Sequence, residues 1–285
     1  MALTNLGAFT RPTDLSEAWD LLEAGDAGVQ AIAGGTDLVM RASPQVTGLI
    51  DHAALPLRYI NQDDAGIRIG AMATFTDALE HDGSATYYDG VIAGMMLRIA
   101  SPLLRNQATI GGNLVRHHAW SDVPLTFQAI DAQVTVYAGE SRTLSLAAFY
   151  DQGLNHDKAI LTEILLPAQP LGSALGFFKF VRNEADIAVL NSAAYVAVHD
   201  DGRVAAVRIL VGGRPRAATR VPAAEAALLG NTLDPAAIDA AARIAQDDVE
   251  VGDDRRASTE YRKHLVHIAV KRALGDAATR LEVAP

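Results

Sequence analysis

Two stretches of this chain have the residue types and spacing to hold a ligand. Ala31-Ile32-Ala33-Gly34-Gly35-Thr36-Asp37-Leu38 runs from an apolar segment into paired glycines and then a short polar pair. Ala108-Thr109-Ile110-Gly111-Gly112-Asn113-Leu114 repeats the design. Adjacent glycines allow positive φ and leave no Cβ in the way of an approaching group. Thr36 or Asp37 can cap a following helix, so several backbone N–H groups converge where the apolar segment ends. Such a concavity suits a phosphate or pyrophosphate. One Gly-Gly turn is usually only a turn. Two of them, each closing an apolar segment, point to one long diphosphate ligand gripped twice.

Other chemistry is scarce. The chain has no cysteine, which removes disulfides, thiol catalysis and any iron–sulfur cluster held by its own thiolates. His117-His118 with Asp122 invites a metal reading, but adjacent histidines rarely share one ion and no third strong ligand lies in sequence reach. Histidines facing solvent or a partner are the simpler expectation. Taken alone, Asp122 before Val123-Pro124 reads as a solvated loop residue, and Lys179 as a surface lysine on an amphipathic strand. No G-x-G-x-x-G follows a strand, so a nicotinamide-binding Rossmann unit is not expected.

A net charge of −10 argues against a nucleic-acid partner. No apolar run reaches the roughly 18 residues a membrane span needs. The start, Met1-Ala2-Leu3-Thr4-Asn5, lacks a basic region followed by an apolar core, so a cytoplasmic protein is expected.

The elements that must position the glycine turns can be read in order. Residues 13–24 form a helix with an apolar stripe at Leu15, Ala18, Trp19 and Leu22, capped by Thr13 or Asp14 and ended by Gly25. Strands at 29–33 and 48–51 make a small parallel β/α opening. A hairpin around 62–65, a short helix capped by Thr74 or Thr76 and a helix over 90–99 follow. Strands over 133–137, 142–146 and 160–166 give this second region an α+β character. Residues 167–173 have linker composition. Beyond them, 176–181, 193–198 and 204–211 read as a three-stranded antiparallel meander. Helices over 222–229, 235–245 and 258–274, the last ended by Gly275, complete the chain, and the charged run 247–256 is a connector.

With these residues in view, the chain resembles the FAD-binding (medium) subunit of the molybdenum hydroxylases. That is the family of the carbon monoxide dehydrogenase medium subunit and the flavin domain of xanthine dehydrogenase. The resemblance is carried by Ala33 to Leu38, by Ile99-Ala100-Ser101 with Leu104 to Leu114, and by Asp122. Weaker matches run in family order from Phe9-Thr10-Arg11-Pro12 through Lys179, Arg182 and Asp186-Ile187-Ala188 to Tyr261-Arg262. It implies an α+β fold: a two-lobed PCMH-type FAD-binding domain over residues 1–170, with lobes of about 1–55 and 56–170, then a C-terminal domain over 171–285 with a three-stranded antiparallel sheet and a helical bundle.

The resemblance also implies roles. Ile32, Ala33, Gly34, Gly35, Thr36, Asp37 and Leu38 would bind the FAD diphosphate through main-chain N–H groups. Thr109, Ile110, Gly111, Gly112 and Asn113 would hold its other side and the ribityl chain. Asp122 would accept from a sugar hydroxyl, Leu165 or Leu166 would line the adenine or flavin pocket, and Lys179 would place a positive charge by the flavin. Ile99 and Ile187 would pack against the ring. FAD is the cofactor so implied, with no catalytic residue and no metal ligand in this chain. The molybdenum cofactor and iron–sulfur clusters would sit in partners, a molybdopterin-binding large subunit and a 2Fe–2S small subunit, in a heterotrimer or its dimer. This chain, an oxidoreductase component, would pass electrons through FAD to an external acceptor. Zero cysteines fits that division of labour. The competing reading is an assembly or binding module that keeps the fold without a redox role, and the intact Gly34-Gly35 and Gly111-Gly112 pairs count against it.

Overall fold

The computed structural model describes residues 3–283 except 42, 185 and 215. β1 (Ala8–Thr10) leads to α1 (Leu15–Ala24), which starts where Asp14 Oδ1 accepts the N–H groups of Ser16 and Glu17 and stops at Gly25. β2 (Val29–Ile32), β3 (Gly48–Asp51) and the hairpin β4 (Ile60–Asp63) and β5 (Gly66–Gly70) follow. α2 (Phe75–Glu80) opens with a reciprocal cap between Thr74 and Asp77. Short helices then succeed one another: α3 (Asp82–Thr86), α4 (Val91–Leu97), α5 (Pro102–Arg105), α6 (Ile110–Arg116) and α7 (Asp122–Ala129). β6 (Gln133–Tyr137), β7 (Ser141–Ser145), α8 (Leu146–Asp151) and β8 (Ile160–Pro167) precede the strands β9 (Ser173–Phe180), β10 (Leu190–Val198), β11 (Val204–Gly212) and β12 (Thr219–Arg220). α9 (Pro222–Leu228), α10 (Pro235–Asp248) and α11 (Thr259–Val283) end the chain.

The chain divides into two compact units. The first gathers residues 1–81, 101–116 and 133–166, and the second gathers 82–100, 117–132 and 167–285. In the first unit, β1–β3–β2 form the parallel sheet, with Ala8 and Val29 both in register with Gly48. A five-stranded sheet, β4–β5–β8–β6–β7, belongs to the same unit. Ala18 and Leu22 of α1 bury their apolar stripe in a cluster with Ile50, Leu55, Leu57 and Ile160.

In the second unit, β9, β10 and β11 make the expected antiparallel meander, and the two-residue β12 adds a fourth strand at its edge. Leu190, Val196, Ile209 and Val211 of the sheet pack with Ala241 and Ala245 of α10 and with Ala269, Val270, Ala273 and Ala277 of α11. Alanines let α11 lie close to the sheet. At Gly176 an added Cβ would stand 2.7 Å from the backbone nitrogen of Ala277, so only glycine fits there. α11 does not end at Gly275 as expected but runs on to Val283. An interior glycine disfavours helix by about 1 kcal/mol. Burial of Ala273 and Leu274 before it and Ala277 after it outweighs that.

One buried group gives the first unit a pH dependence. His52, directly after β3, is 8% exposed, and its Nε2 has no hydrogen-bond partner. Burial lowers its pKa to about 4, against the opposing pull of the Asp51 carboxylate. Between the ordinary histidine value near 6.5 and about 4, the unfolded chain binds a proton that the folded chain refuses. Stability therefore falls as pH drops through that window, by up to about 3 kcal/mol. Urea midpoints of wild type and His52→Leu at pH 7 and pH 4.5 check this: the variant should lose less on acidification. Parallel losses would remove the assignment.

Candidate functional site

The two glycine stretches meet in the first unit. Residues 32–38 are all half-buried, neither core nor open surface. Gly35 takes φ +69°, which favours glycine. Val39 N–H donates to Gly35 O and Arg41 N–H to Asp37 O, both at 3.0 Å, so the chain after β2 winds into a helical turn. The leading amides of that turn, on Gly35, Thr36 and Asp37, have no carbonyl of their own turn to bond. An added Cβ on Gly34 would fall 2.8 Å from the carbonyl carbon of Gln107 and closer still to its oxygen. The first stretch thus lies directly on the segment that leads into the second.

The second stretch is wound differently. It forms the start of α6, and its amides are engaged: Ile110 N–H donates to Ala73 O (2.9 Å), Gly111 to Ala71 O (3.1 Å), Gly112 to Thr109 Oγ1 (3.1 Å) and Asn113 to Thr109 O (3.1 Å). Gly111 is glycine because Ala71 packs where its Cβ would be, within 2.9 Å. Gly112 is glycine because the Thr109 hydroxyl stands 2.7 Å from that position. What this stretch offers a ligand is side chains. Asn113 Oδ1 is buried and has no hydrogen-bond partner, an acceptor that calls for a donor such as a ligand hydroxyl.

The cradle therefore pairs main-chain donors on one loop with a side-chain acceptor on the other. A molecule carrying both phosphate oxygens and hydroxyl groups fits that donor and acceptor set. On β8, Leu166 is fully buried while Leu165, on the opposite face, is half-buried, so only Leu165 has surface to give a ligand.

The second unit brings together two other candidates, Asp122 and Lys179, and neither is where composition alone would put it. Asp122 is the first residue of α7, every residue of which except Gln128 is buried. Pro124 lies in the first helical turn, where a missing N–H does no harm. Lys179 is 5% exposed, so the surface lysine and the solvated loop aspartate are both corrected. Lys179 Nζ pairs with Asp122 Oδ2 at 2.8 Å, and Asn191 Nδ2 donates to Asp122 Oδ1 at 2.6 Å. Lys179 Nζ also donates to Arg98 O (3.1 Å), and Arg98 Nη2 returns a bond to Lys179 O (3.2 Å). Burial pushes the Asp122 carboxyl up, opposed by the Lys179 ammonium and the Asn191 amide. Both oxygens of Asp122 are thus engaged within the chain. Sequence reasoning missed Asn191 and Arg98, which no local motif marks. Ile99 is half-buried and Ile187 is 40% exposed.

The remaining sequence candidates have structural partners. His118 stacks on Trp120, with ring centroids 4.6 Å apart and planes 13° off parallel. Among the described residues no group of three or more histidine, aspartate or glutamate side chains is placed to hold a metal ion. The charged connector is anchored rather than solvated. Arg262, fully buried, donates to Gly252 O (2.6 Å) and Asp254 Oδ1 (2.7 Å), and Arg256 also pairs with Asp254. Burial alone would raise the Asp254 carboxyl, but the Arg256 amide and the two guanidiniums hold it well below the usual range. No helix among the described residues is long and apolar enough to cross a membrane.

Comparison with known proteins gives this geometry a family. Residues 4–169 match the family described as the FAD binding domain in molybdopterin dehydrogenase, and residues 176–277 match the CO dehydrogenase flavoprotein C-terminal domain. The nicotine 6-hydroxylase medium subunit of Paenarthrobacter nicotinovorans is 30% identical over 283 residues, covering 95% of this chain and 97% of that protein. The xanthine dehydrogenase FAD-binding subunit of Escherichia coli O157:H7 is 27% identical over 96% of both. A chain of the solved carbon monoxide dehydrogenase from Hydrogenophaga pseudoflava superposes with a TM-score of 0.88 at 28% identity, covering 96% of this chain and 98% of that one. The chain belongs to the family of FAD-binding medium subunits of the molybdopterin dehydrogenases, in the two-part form that ends in the CO dehydrogenase flavoprotein C-terminal domain.

Proposed function

We propose that this chain is the FAD-binding electron-transfer subunit of a molybdenum-containing hydroxylase or dehydrogenase complex. The observation that carries the cofactor reading is in the first unit: a turn led by the amides of Gly35, Thr36 and Asp37, seated through Gly34 on the segment that leads into α6, where Asn113 offers an unpaired buried acceptor. The amides would hold diphosphate oxygens, as helix-leading N–H groups hold anions. Thr109 and Asn113 would meet hydroxyl groups of the sugar or ribityl chain. Ile32, Ala33, Gly34 and Leu38 would shape the first loop, Ile110, Gly111 and Gly112 the second, and Leu165 would supply apolar contact. Bound FAD supplies the redox chemistry, and the chain binds and orients it. Ile99 and Ile187 keep the ring-packing role that the family resemblance gives them. Asp122 and Lys179, paired with each other within the chain, keep the sugar-hydroxyl and flavin-side roles that the family resemblance gives them.

The medium subunits named above belong to multi-subunit enzymes, and this chain is proposed to do the same. Its partners would be one molybdopterin-binding large subunit and one iron–sulfur small subunit, in a heterotrimer or its dimer in the cytoplasm. The FAD-binding domain would span about 1–170 and the C-terminal domain the rest. Isolation of the tagged chain from its host tests this. Two further chains, molybdenum, iron and FAD should accompany it. A chain recovered alone, without either metal, would remove the proposed assembly.

A further inference from the structure

The first glycine loop is pinned at two points by one segment of the chain, and the second point lies outside both glycine motifs. At its start, Gly34 rests on the carbonyl of Gln107. At its end, Asp37 Oδ2, itself shielded from solvent, pairs with Arg116 Nε at 2.7 Å. Arg116 is the last residue of α6, whose first turn carries Gly111, Gly112 and Asn113. A single stretch, 107–116, therefore holds both ends of 34–37.

Arg41 also pairs with Asp37, Nε to Oδ1 at 3.2 Å, but from the turn's own next coil. That contact is local and adds nothing to the seating of the loop on α6. Arg116, 79 positions further along the chain than Asp37, ties the loop to α6. Both guanidiniums bear on the Asp37 carboxylate. With it pointing to Arg116, the leading amides of the turn keep one orientation before any ligand arrives.

We propose that Asp37 and Arg116 are positioning residues that clasp the first glycine loop to α6 and hold its amides ready for the diphosphate. Affinity then comes from preorganisation, because the ordering cost of the loop is met before binding. The inference rests on the cofactor reading above for its ligand, but the clasp itself is a property of the chain without one.

Two readouts on the whole 285-residue chain separate these. In the ligand-free protein, hydrogen exchange at the amides of Val39 and Arg41, which close the turn, should quicken about threefold in Arg116→Gln, the scale of an incompletely buried ion pair. Arg41→Gln should leave the Val39 amide unchanged. Unchanged exchange in Arg116→Gln overturns the clasp, whether or not FAD binds. With added FAD, Asp37→Asn and Arg116→Gln should each weaken binding about threefold, and the double variant no more than either alone. If Arg116 instead touched the diphosphate directly, Asp37→Asn would release it and binding would tighten. That result also overturns the proposal. A wild-type chain that refuses FAD while Arg116→Gln still quickens exchange removes the cofactor reading and leaves the clasp standing.

Discussion

Gly34→Ala is expected to be strongly destabilising. The new Cβ would stand 2.8 Å from the Gln107 carbonyl carbon and inside the contact radius of its oxygen, both backbone atoms that cannot rotate away. The loop must part from the 107–116 segment, a loss at or above the roughly 3 kcal/mol upper range of overpacking. Gly112→Ala meets a side chain instead, the Thr109 hydroxyl at 2.7 Å. That hydroxyl can swing aside at the expense of its bond from the Gly112 amide, about 1 kcal/mol. Gly94, within α4, has nothing within 4 Å of the same position, so Gly94→Ala should stabilise by up to about 1 kcal/mol. Denaturant midpoints of the three variants check the order. Equal losses at Gly34 and Gly112 would contradict the packing described. For the same reason, loss of a ligand from a Gly34 variant would report on the fold and not on a ligand contact.

The second large effect is expected at the buried pair. Asp122→Asn leaves the Lys179 ammonium buried without its counter-ion, and Lys179→Met leaves the carboxylate so. Each should destabilise by about 3–5 kcal/mol near neutral pH, whereas Asp122→Asn combined with Lys179→Met should recover most of the loss. The two single variants differ in their response to acid. Burial already pushes the Asp122 carboxyl up, and without Lys179 it rises further above the value in the unfolded chain. The folded Lys179→Met protein then binds a proton that the unfolded chain releases. Its stability falls as pH rises from the ordinary carboxylate range through the raised value, and its deficit against wild type shrinks as pH is lowered. Asp122→Asn has no such carboxyl and should show no such recovery. Thermal unfolding of the four proteins across pH 4.5 to 7.5 decides it. Additive single effects in the double variant would show that the two groups do not act as a pair.

The glycine stretches were legible in the sequence because apolar residues, Gly-Gly and a short polar side chain are a local pattern. Local patterns also gave the capped start of α1, the parallel pairing of β2 and β3, and the meander of β9, β10 and β11. What each glycine is for was not legible. Gly34, Gly111 and Gly112 answer to Gln107, Ala71 and Thr109, contacts that exist only after folding. Asp122 and Lys179 looked like surface residues because a single charge carries no mark of the partner that lets it be buried. The same holds for Arg262, fully buried on carbonyls of Gly252 and Val189 and on Asp254. Gly275 misled because a stop signal is local, while the buried face of α11 that continues past it is tertiary.

The most direct measurement is a titration of the purified 285-residue chain with FAD, FMN and riboflavin, followed by flavin fluorescence. Of the three, only FAD carries the diphosphate that the amides of Gly35, Thr36 and Asp37 are proposed to hold. Binding of FAD approaching one per chain, with FMN and riboflavin far weaker, is the expected result. A folded chain that binds the three alike, or that takes up no FAD, would contradict the diphosphate cradle.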